Sequence, residues 1–130
     1  MAQRIDHIGV AVADLEAALR LYRDLLGLPL EKVEEVPDQK LISYHLGIGE
    51  SRIELLVPTS PDSVIARYLE KRGAGIHHVA LAVEDVDAER ARLVAEGLVP
   101  IGEPSIGAEG KRIQFFHPRS TGGVLLEICG

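Results

Sequence analysis

This chain of 130 residues states one pattern twice: IDHIGVAVADLEAA, starting at Ile5, returns as IHHVALAVEDVDAE, starting at Ile76. His7 recurs 71 residues on as His78, and Glu54 of RIELLVP recurs 73 residues on as Glu127 of VLLEICG. Each half alone is marginal as a folding unit, because a short chain buries too little of its surface. The whole length suits one ordinary domain with a shared core. Two histidines and two carboxylates carried on matching elements suggest one metal serving both halves.

Strand parity sharpens this. Side chains two apart share a face of a strand, so Ile8, Val10 and Val12 form one face of the first element, Ile5 to Val12, and His7, Gly9 and Ala11 the other. The second copy repeats the division, with Val79, Leu81 and Val83 against His78, Ala80 and Ala82. A histidine among such small residues leaves room for a ligand. His77 stands opposite Asp6 in the alignment and points to the other face.

Each strand is followed by an aspartate in N-cap position, Asp14 or Asp85, and then by apolar residues at helical spacing. The first helix is expected to carry Leu15, Ala18, Leu19, Tyr22, Leu25 and Leu26 inward and to end at Gly27 and Pro29. The second is expected over Val86 to Glu96, covering the sheet with Val86, Leu93 and Val94 and stopping at Gly97. Three extended segments follow in each half: about Leu30 to Glu35, Leu41 to Leu46 and Arg52 to Val57, then Leu98 to Gly102, Lys111 to Phe116 and Val124 to Ile128. The reading is α+β, with two tandem βαβββ modules at about 4–58 and 75–129. A connector helix at about 60–73 has Pro61 near its first turn and Gly73 at its end. The glycine- and proline-bearing stretch from Glu103 to Gly110 is expected to be irregular.

Composition excludes several classes. A hydrophobic fraction of 46% with 26% charged residues is that of a globular protein. No apolar run reaches the roughly 18 residues of a membrane span, and no signal-peptide pattern opens the chain. A cytoplasmic protein without a membrane partner is expected. The net charge of −6, with no Lys/Arg cluster, argues against nucleic acid. Cys129 is the single cysteine, which rules out an intramolecular disulfide and a CxxC site.

Imidazole plus carboxylate is the usual donor mixture for a catalytic divalent ion with positions open to substrate. His7, Glu54, His78 and Glu127 supply it. Both glutamates lie inside apolar strands, where a buried carboxylate without a partner costs several kcal/mol. A wet strand face would instead leave Glu54 at the surface. His45 of KLISYHL and His117 of RIQFFHP look equivalent, each at a strand end suited to hydrogen-bonding support. The GAEGK stretch, Gly107 to Lys111, lacks the Walker spacing. Its Lys111 or Arg112 can face an anion beside glycine-rich backbone, or the stretch is a plain turn with solvated charges.

Nearly the whole chain resembles the vicinal oxygen chelate superfamily, whose paired βαβββ modules form a cupped mixed sheet around a metal site. Within that superfamily, DHIGVAV, ELLVPTSPDSVIARYLEKRGAGIHHVAL and GKRIQFFHPRSTGGVLLEI are similar to the methylmalonyl-CoA epimerase family. The segment from His117 to Glu127, HPRSTGGVLLE, resembles that family's most specific signature, HPKSTGGVLIE. The resemblance implies epimerisation at C2 of an acyl-CoA substrate by two bases through a metal-stabilised enolate. It also implies one divalent metal ion per chain (Co²⁺, Mn²⁺, Zn²⁺, Ni²⁺ or Mg²⁺) and a homodimer. His7, Glu54, His78 and Glu127 match the metal-ligand positions, and Glu127 matches a proposed catalytic carboxylate. Some members place a second acid on the strand that here reads KLISYHL. Leu41, Ser43 and His45 share one face there and none is acidic, so Glu54 is the candidate second base. Ser43, Gly107, Lys111 and His117 are the candidate substrate-binding residues. Glu109 stands where the family commonly has histidine. A glyoxalase-type isomerase or lyase on the same scaffold is the alternative enzyme, although its usual DPDGxxIEL-type ending is absent. A metal-free binding protein of the resistance type is the non-enzymatic alternative, against which the four-donor set argues.

Overall fold

The computed structural model describes residues Met1–Gly130. The chain parts into two compact units, one formed by His7–His77 and the other by Met1–Asp6 with His78–Gly130. The order βαβββ occurs twice. Its first occurrence is β1 (Arg4–Ala11), α1 (Leu15–Leu19), β2 (Leu30–Val36), β3 (Leu41–Ile48) and β4 (Ser51–Pro58). The helix α2 (Val64–Arg72) comes next, and then β5 (Gly75–Ala82), α3 (Val86–Ala95), β6 (Pro100–Ile106), β7 (Arg112–Phe116) and β8 (Leu126–Cys129). No helix is long and apolar enough to cross a membrane.

In the His7–His77 unit the strands run in the order β2-β3-β4-β1. β1 pairs parallel with β4, placing Gly9 opposite Glu54. β3 pairs antiparallel with β4, placing His45 opposite the same glutamate. Alternation sends Val10, Val12, Leu46 and Leu55 to the opposite face, where they form a buried core against Leu15, Ala18, Leu19 and Tyr22 of the helical segment. The Asp14 carboxylate starts that segment by accepting from the Ala17 amide at 3.1 Å.

The first helix departs from expectation after one turn. Residues Arg20–Leu25 are π-helical, and the Leu26 amide donates to the Leu21 carbonyl, five residues back. The wider turn rotates the end of the segment away from the apolar stripe. Leu25 and Leu26, expected in the core, are 64% and 59% exposed, and Leu28 takes up the packing instead.

The other unit has strands in the order β6-β7-β8-β5. Ala80 of β5 lies opposite Glu127 of β8, and so does Phe115 of β7. The Asp85 carboxylate caps α3 through the Ala88 amide at 3.1 Å, and Val86 and Leu93 pack with Val83, Phe116 and Ile128. Val94, also expected there, is 39% exposed, because one residue beyond Leu93 is a rotation of about 100°. The stretch expected to be irregular is partly strand: β6 runs to Ile106 and pairs Ser105 with Ile113. A register shift between Ile101 and Ser105 takes in Gly102, at φ 66°, and Pro104, residues a regular ladder does not accommodate. Ser63, accepting from the Ile65 amide at 3.1 Å, sets the start of α2, so Pro61 lies in the turn ahead of the helix.

Candidate functional site

Glu54 stands in the middle of β4 with its two strand neighbours supplying Gly9 and His45. Its carboxylate is 4% exposed, so the buried reading of RIELLVP holds and the wet-face alternative does not. Arg52, two residues earlier and therefore on the same face, donates from Nη2 at 2.9 Å and Nε at 3.2 Å to Oε2. Ser43 Oγ donates to Oε1 at 3.4 Å. His7 Nδ1 lies 3.3 Å and His45 Nδ1 3.9 Å from Oε2. A buried carboxylate is tolerable among such donors.

Glu127, on β8, is equally enclosed but differently lined. His78 Nε2 lies 3.4 Å from its Oε1. The His78 ring meets Phe115 edge to face at 5.3 Å between centroids. Ala80, Ile113 and Cys129 cluster with Phe115, filling part of the space that the small residues of β5 were expected to leave. The Cys129 thiol is pushed up to about 12, first by burial and then by the charges of Asp6 and Glu127, so it is no nucleophile at neutral pH. His77 points elsewhere, as strand parity requires, and packs edge to face on Tyr68 of α2 at 5.0 Å. Burial lowers its imidazole to about 4.

The donor set suits a divalent ion. Two ligands with bonds of about 2.1 Å to one ion stand about 3.0 Å apart at an octahedral edge and about 3.4 Å at a tetrahedral one. The His–Glu separations of 3.3 Å and 3.4 Å, one in each unit, fall in or at the end of that range. They are long for hydrogen bonds. Each unit thus offers buried donors able to bind a metal ion, His7 and Glu54 in one and His78 and Glu127 in the other.

Among the other candidates, Ser43 is buried and turned to Glu54. Gly107 is buried against Ile113, whose side-chain carbons would lie 3.0 Å from any Cβ there. Lys111 directs Nζ to the buried Asp6 at 3.1 Å, with Glu109 at 3.8 Å. Glu109 itself adopts φ 61°, unusual for a residue other than glycine. His117 is exposed, and its Nδ1 accepts from the Arg119 amide at 3.2 Å. The equivalence of His45 and His117 fails: His45 lies inside β3 opposite Glu54, whereas His117 lies beyond the end of β7, and Phe115 occupies the place opposite Glu127. Arg52 was not singled out from the sequence, although its i, i+2 relation to Glu54 on one strand was there to be seen.

The family model of the Glyoxalase/Bleomycin resistance protein/Dioxygenase superfamily matches residues 4–128. The chain is 41% identical over 131 residues to the ethylmalonyl-CoA/methylmalonyl-CoA epimerase of Cereibacter sphaeroides, covering 98% of each chain. Among solved structures it is similar to the methylmalonyl-CoA epimerase of Mycobacterium tuberculosis, with a TM-score of 0.93 and 39% identity over 98% of this chain and 87% of that one. A Streptomyces coelicolor methylmalonyl-CoA epimerase variant in complex with 2-nitronate-propionyl-CoA gives a TM-score of 0.93 and 38% identity, over 99% of this chain and 94% of that one.

Proposed function

The chain belongs to the Glyoxalase/Bleomycin resistance protein/Dioxygenase superfamily, and from that premise we propose that it epimerises methylmalonyl-CoA at C2, using one divalent metal ion and two glutamates. Identity of 41% over 98% of the length of an epimerase supports the reaction. The observation that carries the site is the pair of buried His–Glu contacts at 3.3 Å and 3.4 Å, which repeat the same donor chemistry in the two modules.

In this reading His7, Glu54, His78 and Glu127 hold the ion. The C2 proton of the substrate lies between a thioester and a free carboxylate, and its removal leaves negative charge on oxygen. The bound ion supplies Lewis-acid stabilisation of that charge. Glu127 removes or returns the proton on one face of C2, and Glu54 does so on the other. A general base in position contributes roughly 10²- to 10⁴-fold. Phe115 stands opposite Glu127 across the ladder and packs with the apolar cluster around Ala80. Acyl-CoA contacts are assigned to Ser43, Gly107, Lys111 and His117, and the assembly to a homodimer.

The experiment is C2 deuterium exchange. Single-epimer methylmalonyl-CoA is incubated in D₂O with protein loaded with Co²⁺ or Mn²⁺, and with protein stripped by chelator. Exchange and loss of optical purity are expected only with the loaded protein. Glu127→Gln is expected to lower exchange at least 10²-fold. A loaded wild-type chain that leaves both epimers untouched, or that turns over a glutathione hemithioacetal instead, refutes the proposal.

A further inference from the structure

Glu54 and Glu127 hold matching places in the repeat, opposite Gly9 and Ala80 respectively, yet their surroundings are unequal. In the first module Arg52 places Nε and Nη2 on a single carboxylate oxygen, Oε2, and leaves Oε1 to Ser43 at 3.4 Å. Glutamate has three side-chain torsions, and a buried one must be held by something if it is to present a defined oxygen. Two charge-assisted donors from one planar group fix the position of Oε2, and the Ser43 hydroxyl on Oε1 helps to set the plane of the carboxylate. Counting along the strand from the shared glutamate, the residue in Arg52's place in the second module is Leu125.

We infer that Arg52 is a positioning residue, which holds the Glu54 carboxylate in the orientation needed to ligate the metal ion. The inference rests on the proposed role of Glu54 as a ligand. The role assigned to Arg52 is exerted through Glu54, the carboxylate it engages. Partners that orient ligating groups are typically worth 10- to 100-fold in metal affinity or activity. Arg52 retains 18% side-chain exposure, so its charge is partly hydrated and its repulsion of an incoming cation is damped.

The test is metal affinity, read by titrating Co²⁺ into chelator-stripped protein. Arg52→Leu installs the residue found at the matching position of the second module. It is expected to weaken Co²⁺ binding roughly 10- to 100-fold, and Arg52→Lys, which keeps the charge and loses the fork, to weaken it less. Melting of the metal-free variants separates positioning from structural damage: the affinity loss is expected to exceed what the change in stability predicts, and to recover in Arg52→Lys. Should Arg52→Leu fail to fold, Arg52→Lys and Arg52→Gln carry the comparison. Unchanged affinity overturns the inference. So does tighter binding, which would show the guanidinium competing with the ion for Glu54. A wild-type chain that takes up no metal overturns both this inference and the ligand set. A metal-binding chain without epimerase activity refutes only the reaction, because the affinity comparison still stands.

Discussion

The same substitution at the two glutamates is expected to have unequal effects on the stability of the metal-free protein. Glu54→Gln keeps the shape and one acceptor oxygen but removes the charge that Arg52 engages at 2.9 Å and 3.2 Å. Hydrogen bonds to a charged group are worth about 1.5–3 kcal/mol and neutral ones about half as much. Halving two such bonds costs about 2 kcal/mol, and Arg52 loses its buried counter-charge. The gain from no longer desolvating a carboxylate offsets part of this, but only part, because truncating one partner of a buried pair is generally destabilising. Glu127→Gln removes a charge facing His78 at 3.4 Å and paired across the strands with Phe115. Leu125 stands where the first module has Arg52, so Glu127→Gln is expected to spare the two charge-assisted guanidinium bonds that Glu54→Gln weakens. The difference between the two variants is therefore about 2 kcal/mol. For a chain of 130 residues, 1 kcal/mol moves the midpoint by about 4 °C, giving a gap of about 8 °C. Calorimetry of both variants in excess chelator at neutral pH measures it directly. Equal falls in midpoint, or a larger fall for Glu127→Gln, would refute the unequal-surroundings argument whatever the enzyme turns over.

Two further expectations concern the frame around the site. Phe116 has no exposed surface and packs with Val83, Val86 and Ile128; Phe116→Ala is expected to cost about 3–5 kcal/mol in a urea titration, and a loss under about 1 kcal/mol would mean this cluster is not the core of its unit. The Arg92 guanidinium, at 2.8 Å and 3.0 Å, holds the Glu89 carboxyl below its ordinary range. The stability this contributes is present above the ordinary carboxylate pKa and is lost as pH falls through the depressed one. Glu89→Gln is accordingly expected to flatten the acid side of the melting-temperature profile, and an unchanged profile would assign the acid sensitivity to other groups.

Much of the site was legible because parity on a strand is unforgiving. A one-residue slip would turn His7 or His78 to the wrong face, so the alternating apolar pattern orients both imidazoles; the glutamates lie in continuous apolar runs, and the burial of Glu54 excludes a wet face only in the structure. The N-caps at Asp14 and Asp85 were equally plain, since a short acidic side chain ahead of a helical stripe satisfies amides that otherwise lack a partner. The first helix was harder. Leu25 and Leu26 fit an ideal periodicity, and nothing in their identity announces the i to i+5 bond between Leu21 and Leu26 that turns them outward. Glu103 to Ile106 departs from the expected irregular stretch for a related reason: a bulge absorbs Gly102 and Pro104 and lets pairing resume at Ser105.

The misplaced pair of histidines shows how the second copy came to differ from the first. β3 passes into β4 with only Gly49 and Glu50 between the strands, whereas β7 reaches β8 through the nine residues from His117 to Leu125, HPRSTGGVL. That longer connection contains a 3₁₀ turn at Pro118–Ser120, followed by a further turn with two glycines at φ 71° and 95°, Gly122 and Gly123. With it the pairing settles two residues away from where the KLISYHL and RIQFFHP motifs would align. A shift of two preserves the face of every side chain but moves each one pair along the ladder. Phe115 thereby stands opposite Glu127, where His45 stands opposite Glu54. The segment that most resembles the epimerase signature is the one that joins these two strands. An epimerase must move a proton at both faces of one carbon, and the two modules carry their glutamates in unlike surroundings, with Arg52 beside Glu54 and Phe115 opposite Glu127.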